Sequence, residues 1–252
     1  MPALKLSNVF YSYHTPQGET YALYDINLTV PEGQFVSIVG PSGCGKSTLL
    51  SLIAGLIKPE SGSIEVNGHP ACCADPDIGY MLQHDHLFEW RSVYGNVRLG
   101  LEIRGKEDDS AKSDELLNQY GLLDFRNARP SELSGGMRQR VALIRTLILE
   151  PDILLLDEPF SALDYQTRLT VCDDISSIIR REGKTAILVT HDLSEAISVG
   201  DVVYVLSRRP GSIKASISLD FPRDMSPIER RDTKEFKDYF RILWKELIKY
   251  AD

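Results

Sequence analysis

The chain contains 252 residues, 42% of them hydrophobic and 25% charged, and carries a formal net charge of −8 at pH 7. This length suits one large α/β domain or one domain with a lobed insertion, and the composition is ordinary for a globular protein. The negative charge argues against nucleic acid as a partner, because a nucleic-acid binder needs a basic surface to neutralise phosphates.

No apolar run approaches the roughly 20 residues that span a bilayer. The first residues lack the basic and apolar regions of a signal peptide, so we expect none. The cysteines, Cys44, Cys72, Cys73 and Cys172, have no metal-ligand spacing. We therefore expect a cytoplasmic protein with reduced thiols. If it serves a membrane, it must act at the membrane surface without spanning the bilayer.

Short strand-like runs separated by turns fill the first third of the chain, and continuous apolar runs return in the last part. The predicted strands cover residues 4–13, 21–30, 35–39, 64–66, 78–82, 153–156, 186–190 and 202–206. From about residue 87 to residue 150 the pattern is helical. Uniformly apolar strands that alternate with helices indicate a buried, largely parallel sheet.

Five apolar side chains near the C-terminus recur at helical spacing: Phe236, Tyr239, Phe240, Leu243 and Leu247. Charged side chains lie off this face, which predicts an amphipathic helix in an extension of about residues 225–252. We expect it to pack on the body of the protein, with docking onto a partner as the alternative. The charged stretch 106–110 predicts a solvated connection. The absence of an internal repeat predicts one module over residues 1–252.

A glycine-rich segment follows the predicted strand 35–39 and precedes a helix-like run at 49–54, which is the context of a phosphate-binding loop. Its residues fit G-x-x-x-x-G-K-[ST]: Gly40, Pro41, Ser42, Gly43, Cys44, Gly45, Lys46, Ser47 and Thr48. We call this segment the cradle. Glycines let several backbone N–H groups point at one anion, and the helix start adds its positive end. Lys46 would supply charge to the β- and γ-phosphates of ATP, and the Ser47 hydroxyl would ligate Mg²⁺.

Cys44 allows two interpretations. Modification of an accessible thiol inside the cradle should block the nucleotide, whereas a small buried side chain would only fill space. The cradle itself names no function, since kinases, GTPases, motors and transport ATPases share it.

An apolar strand at 153–156 ends in two carboxylates, Asp157 and Glu158. At the C-terminal edge of a parallel sheet such residues face the crevice where ligands bind. Successive strand side chains point to opposite sides, so the two carboxylates should have different roles. Asp157 would hold the Mg²⁺ shell, and Glu158 would orient and polarise the attacking water.

A second anion site is predicted at Ser134, Gly135 and Gly136, where a hydroxyl and bare N–H groups open a helix. The segment Leu133 to Arg140, with Met137 at its fifth position, resembles the LSGGQ-type signature of the ABC ATPase family. The resemblance implies a P-loop ABC-type α/β core with an antiparallel β subdomain and an inserted α-helical subdomain at about residues 87–150. It also implies a head-to-tail dimer, in which the signature of one copy closes over the ATP of the other.

The same resemblance assigns further residues. Gln83 matches the residue that joins the metal shell to the membrane partner, and Asp164 matches a position at the dimer interface. His191 matches the histidine that contacts the γ-phosphate and cooperates with Glu158. Tyr13 fits the aromatic side chain that stacks on adenine, although Tyr11 competes for that role. The reaction is then ATP + H₂O → ADP + phosphate, with Glu158, His191, Gln83 and Lys46 as catalytic residues.

The segment around Phe88 and Trp90 offers either contacts to permease subunits or core packing in the helical part. His84-Asp85-His86 suggests a metal site, but adjacent residues seldom converge on one ion, so we expect none. Trp90–Val93 and Arg209–Ile213, followed by Phe221–Asp224, resemble the nitrate/sulfonate/taurine importer group. This resemblance implies a peripheral protein on the cytoplasmic face of the membrane, served indirectly by a solute-binding protein. An exporter subunit and a soluble non-transport ABC ATPase are the alternatives.

Overall fold

The fold is described from a computed structural model, in residues 1–16, 18–106, 110–222 and 224–250. Within the predicted charged connection 106–110, residues 107–109 lie outside the described residues. Arg223 of the importer-like segment also lies outside them, as do residues 251–252 of the predicted extension.

The described residues form ten strands and nine α-helices in a mixed order. The strands are β1 (Pro2–Thr15), β2 (Gly18–Pro31), β3 (Phe35–Val39), β4 (Ser61–Val66), β5 (His69–Pro70), β6 (Ile78–Met81), β7 (Ile153–Asp157), β8 (Thr185–Thr190), β9 (Val202–Leu206) and β10 (Ile213–Ser218). The helices are α1 (Lys46–Ile53), α2 (Val93–Val97), α3 (Leu99–Ile103), α4 (Ser110–Gln119), α5 (Gly135–Leu147), α6 (Tyr165–Arg181), α7 (Leu193–Val199), α8 (Pro227–Arg231) and α9 (Lys234–Lys249).

The larger sheet has six strands in the order β10-β9-β3-β8-β7-β6. All of its pairs are parallel except β10 with β9. Strands β3, β7 and β8 are buried along their whole length, as their predominantly apolar sequences predict. Because the carboxyl ends of β3, β7 and β8 meet at one edge, the residues that follow them lie close together.

The smaller sheet is antiparallel and has the order β2-β1-β4-β5. Its inner face packs with α1 and the larger sheet around an apolar core that includes Leu4, Ile26, Val36 and Leu49. This core holds the two sheets together, and α1 therefore enters the interior directly behind the cradle.

Two strands were not predicted. β5 has only two residues, and β10 alternates half-buried with exposed positions. A half-exposed strand at the edge of a sheet has no continuous apolar run, so β10 has only a weak pattern.

Helices α2 to α5 form a separate apolar cluster with α6 and one face of the larger sheet, in which Val97, Leu117, Val141 and Ile175 are fully buried. The domain limits at about residues 87–150 and 225–252 remain predictions. Ser92 caps α2 by accepting a hydrogen bond from the Gly95 N–H, which starts the helical part directly after the segment that carries Trp90.

The C-terminal helix α9 lies against β9 and α7. Phe236 and Leu243 are buried, and Tyr239, Phe240 and Leu247 pack around them. Trp244 and Ile248, by contrast, are exposed. No helix in the described part of the chain is both long and apolar enough to cross a membrane.

Candidate functional site

A cleft of about 610 Å³ opens beside the cradle, between the smaller sheet and the carboxyl edge of the larger one. Twelve residues line it: Tyr13, Ala22, Ser42, Gly43, Gly45, Lys46, Ser47, Thr48, Gln83, Glu158, His191 and Arg209. Ten of them are predicted site residues. Ala22 and Arg209 were not predicted.

The shape of the cradle depends on glycine at position 45. Gly45 precedes α1 with a φ of 103°, a conformation that L-residues rarely adopt. A Cβ there would lie 2.8 Å from Cδ2 of Leu23 and 3.0 Å from the carbonyl oxygen of Ala22. Lys46 begins the helix, and its ammonium donates hydrogen bonds to the carbonyl oxygens of Gly40 at 2.9 Å and Pro41 at 3.0 Å. The positive charge is thus already held at the cradle.

Gly40, Pro41 and Cys44 belong to the cradle but do not line the cleft. Cys44 is only 1% exposed and packs in the core between the sheets. Burial also raises the pKa of its thiol, so little thiolate is available. A Cβ on Gly40 would lie 2.8 Å from the Cys44 sulfur. The structure therefore favours the packing interpretation of Cys44. Its sulfur is not accessible, which argues against a thiol modification that blocks the nucleotide.

Asp157 ends β7 as a buried carboxylate beside the helix start. One of its oxygens accepts a hydrogen bond from the Ser47 hydroxyl at 3.1 Å, and the other accepts one from the Tyr80 hydroxyl at 3.3 Å. Burial raises the pKa of Asp157, because the charged form is poorly solvated there. A carboxylate, a hydroxyl and the Gln83 amide are hard oxygen donors of the kind that Mg²⁺ prefers. The donors present therefore fit the predicted Mg²⁺ ligands.

Glu158 follows Asp157 in a left-handed conformation, with a φ of 44°. Its N–H donates to the carbonyl oxygen of Val189 at 2.9 Å, which ties it to the end of β8. Its carboxylate lies 2.9 Å from Nδ1 of His191 and 3.5 Å from the amide nitrogen of Gln83. The structure thus brings three of the four predicted catalytic side chains into direct contact, and Lys46 lines the same cleft.

A buried polar cluster supports the segment that carries His191. The Thr190 hydroxyl donates to Glu195 at 2.6 Å and accepts the Asp192 N–H at 3.0 Å. Burial raises the pKa of Glu195. Arg168 donates to the Leu163 carbonyl oxygen at 2.9 Å and lies 3.8 Å from the carboxylates of both Asp192 and Glu195. One arginine therefore joins the Asp164 segment to the His191 segment.

The cleft favours Tyr13 over Tyr11 as the aromatic contact. Tyr13 lines the cleft, and its hydroxyl lies 2.9 Å from that of Thr48. Tyr11 meets the Tyr13 ring edge-on, at 5.1 Å between centroids, and packs against the core between the sheets.

The predicted second anion site lies elsewhere on the chain. Ser134 caps α5 by accepting the Met137 N–H at 3.3 Å. A Cβ on Gly136 would lie 3.0 Å from methyl groups of Thr167 and Val171. Ser134 and Gly136 line a different cavity, of about 280 Å³, at the starts of α5 and α6. Neither they nor Gly135 line the cleft beside the cradle.

Asp164 caps α6, where its carboxylate accepts the Thr167 N–H at 3.1 Å. It too does not line the cleft. Within one chain the signature glycines, Ser134 and Asp164 therefore lie outside the cleft beside the cradle.

Trp90 is 71% exposed, so of the two alternatives left open for this segment, core packing does not apply to this residue. Its ring lies against that of half-buried Phe88, at 4.6 Å between centroids. Asn96, which is fully buried, holds the segment by accepting the Phe88 N–H at 2.7 Å and donating to the Phe88 carbonyl oxygen at 3.1 Å. The exposed aromatic surface is thus anchored to a rigid support. In the neighbouring His84–His86 segment, the Asp85 carboxylate accepts a hydrogen bond from Arg138 at 3.1 Å.

The sequence model of the family described as ABC transporter matches residues 23–161. An uncharacterized ABC transporter ATP-binding protein of Bacillus subtilis, YtlC, is 43% identical over 252 residues, with 98% of this chain and 96% of the relative covered. The taurine import ATP-binding protein TauB of Jannaschia sp. is 40% identical over 238 residues, with coverages of 93% and 89%.

The solved structures include a dimeric ATP-binding cassette, MJ0796, in a post-hydrolysis state bound to ADP and Pi. It is 33% identical, has a TM-score of 0.74, and is matched over 87% of this chain and 100% of that one. The family match spans the cradle, Gln83, the signature segment and the acidic pair. Tyr13, His191 and Arg209 lie outside it.

Proposed function

The chain belongs to the ABC transporter family, and from this premise we propose that it is the nucleotide-binding subunit that powers import of a small solute through a membrane transporter. Membership makes it an ATP hydrolase of the ABC type, and the likeness to a solved cassette confirms the predicted fold class. The observation that carries the hydrolysis part of the proposal is the convergence of Lys46, Gln83, Glu158 and His191 in one cleft, and the import part rests on the similarity to TauB.

In the proposed reaction, Glu158 orients a water for in-line attack on the γ-phosphorus and accepts its proton. A bond forms between the water oxygen and the γ-phosphorus as the bond between the γ-phosphorus and the oxygen of the leaving ADP breaks. His191, 2.9 Å from the Glu158 carboxylate, fixes the orientation of that base. Lys46 stabilises the charge on the transferring phosphoryl group. Ser47, Asp157 and Gln83 would hold Mg²⁺, which supplies positive charge to the phosphates when bound.

The complete site is proposed to form between two copies of the chain. Ser134 and Gly136 do not line the cleft of their own copy, although a capped helix start is an anion site. The solved cassette MJ0796 is described as dimeric. Head-to-tail pairing would place these residues of one copy over the ATP of the other, with Asp164 at the interface. Binding of two ATP would then close the dimer, and hydrolysis would reopen it.

Permease subunits are proposed to dock beside Gln83, on the surface formed by Phe88 and Trp90. Exposed aromatic rings of this size are common anchors in protein interfaces. Docked there, the subunit would lie on the cytoplasmic face of the membrane, and a solute-binding protein would supply the cargo indirectly. TauB is named for taurine import, and NrtD of Synechocystis sp., which is 40% identical over 238 residues, is named for nitrate import. These names support taurine, another sulfonate or nitrate as the proposed solute.

Co-purification of the native complex tests the transport role. We expect permease subunits and a solute-binding protein with its ligand to accompany the chain, and Trp90→Ala to reduce recovery of the permease. Trp244→Ala, which removes the other exposed tryptophan, is the matched control. If only Trp244→Ala reduced recovery, the docking surface would be α9 instead. A chain that hydrolyses ATP but never associates with a permease would instead be a non-transport ATPase.

A further inference from the structure

We propose that Arg209 is a nucleotide-binding residue and that its guanidinium contacts the phosphate chain of bound ATP. The inference rests on the proposed function, since it adds a residue to the same cleft. Arg209 lines the cleft with Lys46 and Tyr13, but it lies in the turn between β9 and β10, outside the cradle and the signature segment.

A buried hydroxyl fixes the shape of this turn. The Ser207 oxygen lies 3.0 Å from the Arg208 carbonyl oxygen and 3.3 Å from that of Pro210. It also accepts the Ser212 N–H at 3.1 Å. Because one side chain bonds across the whole turn, the backbone at Arg209 has little freedom.

The turn is also attached to both walls of the cleft. The Gly211 N–H donates to the Ala22 carbonyl oxygen at 2.8 Å, and the Gly211 carbonyl oxygen accepts the Tyr24 N–H at 2.9 Å. On its other side a Cβ at Gly211 would lie 2.1 Å from the carbonyl oxygen of Cys44. Glycine is therefore required for this backbone approach, which holds Arg209 at the edge of the cradle.

The charge of Arg209 is available to a ligand. Its side chain is exposed, and within the described ranges it makes neither a salt bridge nor a side-chain hydrogen bond. Arg209 and Lys46 are the permanently charged cations that line the cleft, in a chain whose net charge is −8. Adenine and ribose are neutral, so the phosphate chain is the part of ATP that complements a second cation. A guanidinium also presents several N–H donors that suit phosphate oxygens.

The test compares ATP and ADP binding by calorimetry in the unsubstituted chain, Arg209→Gln and Arg209→Lys, at low and high ionic strength. At low salt we expect Arg209→Gln to weaken binding of both nucleotides roughly tenfold, which is the effect expected when a hydrogen bond to a charged group is lost. The difference should shrink as salt rises. Arg209→Lys should retain most of the affinity, because it keeps the charge. For ATP hydrolysis, Arg209→Gln should raise KM by a larger factor than it lowers kcat.

Lys214→Gln removes an equal charge from an exposed position of β10 outside the cleft and is the matched control. Unchanged affinity in a folded Arg209→Gln protein, or equal losses in Arg209→Gln and Arg209→Lys at every salt concentration, would overturn the assignment. If the unsubstituted chain bound neither ATP nor ADP, the proposed function itself would fail, which separates the two outcomes.

Discussion

Replacement of Glu158 by glutamine changes the proposed base with little change of shape. Glutamine keeps one side-chain oxygen for the contacts to His191 at 2.9 Å and Gln83 at 3.5 Å, but it cannot accept the proton of the attacking water. General-base catalysis typically contributes a factor of about 10² to 10⁴, which corresponds to roughly 3 to 5 kcal/mol of barrier. We therefore expect kcat to fall by that factor.

ATP affinity should survive the substitution, because Lys46 and the cradle glycines are untouched. Phosphate release gives kcat, calorimetry gives the affinity, and size-exclusion chromatography with ATP should show dimer accumulating when hydrolysis is blocked. Glu182→Gln changes an exposed glutamate outside the cleft and serves as the control. Hydrolysis at the parental rate in Glu158→Gln would show that another group is the base.

Three further predictions concern the same cleft and its completion. Lys46→Ala should abolish turnover, because it removes the buried cation at the cradle; phosphate release measures this, and residual hydrolysis near the parental rate would contradict the assignment. Asp157→Asn should raise the melting temperature of the nucleotide-free protein at neutral pH. Burial holds the pKa of Asp157 in the folded protein above its value in the unfolded chain. The folded protein therefore loses stability as pH rises from the unfolded-state pKa through the folded-state pKa, and asparagine, which cannot ionise, avoids that loss. The stabilisation should vanish at acidic pH, and a pH-independent difference in melting temperature would argue for a packing effect. Third, a mixture of the Ser134→Ala and Lys46→Ala proteins should show partial hydrolysis, because one of the two sites in a mixed dimer combines an intact Lys46 with an intact Ser134. A completely inactive mixture would argue against the head-to-tail arrangement.

The sequence was most informative where a feature depends on a continuous run or a fixed spacing. The limits of β3 and β9 agree with the predicted strands, since β9 is apolar along its length and β3 is interrupted only by Ser37. The cleft likewise collects Lys46, Gln83, Glu158 and His191, each of which follows or starts a predicted element at the same edge of a sheet.

The missed features depend on contacts between distant segments. The place of Arg209 in the cleft depends on Gly211 reaching the backbones of Ala22 and Cys44, and no local pattern encodes that approach. The glycine after Arg209-Pro210 was the available signal, since a glycine in a short turn can mark a close backbone contact. Burial of Cys44 and exposure of Trp90 were also undetermined, because either residue type occurs in both settings.

The contact between Gly211 and the cradle also has a consequence for biosynthesis. β3, which carries the cradle, pairs only with β8 and β9 among the described strands, and the cradle itself is backed by the turn that follows β9. Residues 35–48 therefore leave the ribosome long before residues 185–211, which supply their neighbours. The phosphate-binding loop is among the early parts of the chain to be translated, yet its native contacts with β8, β9 and Gly211 can form only after residue 211 has emerged.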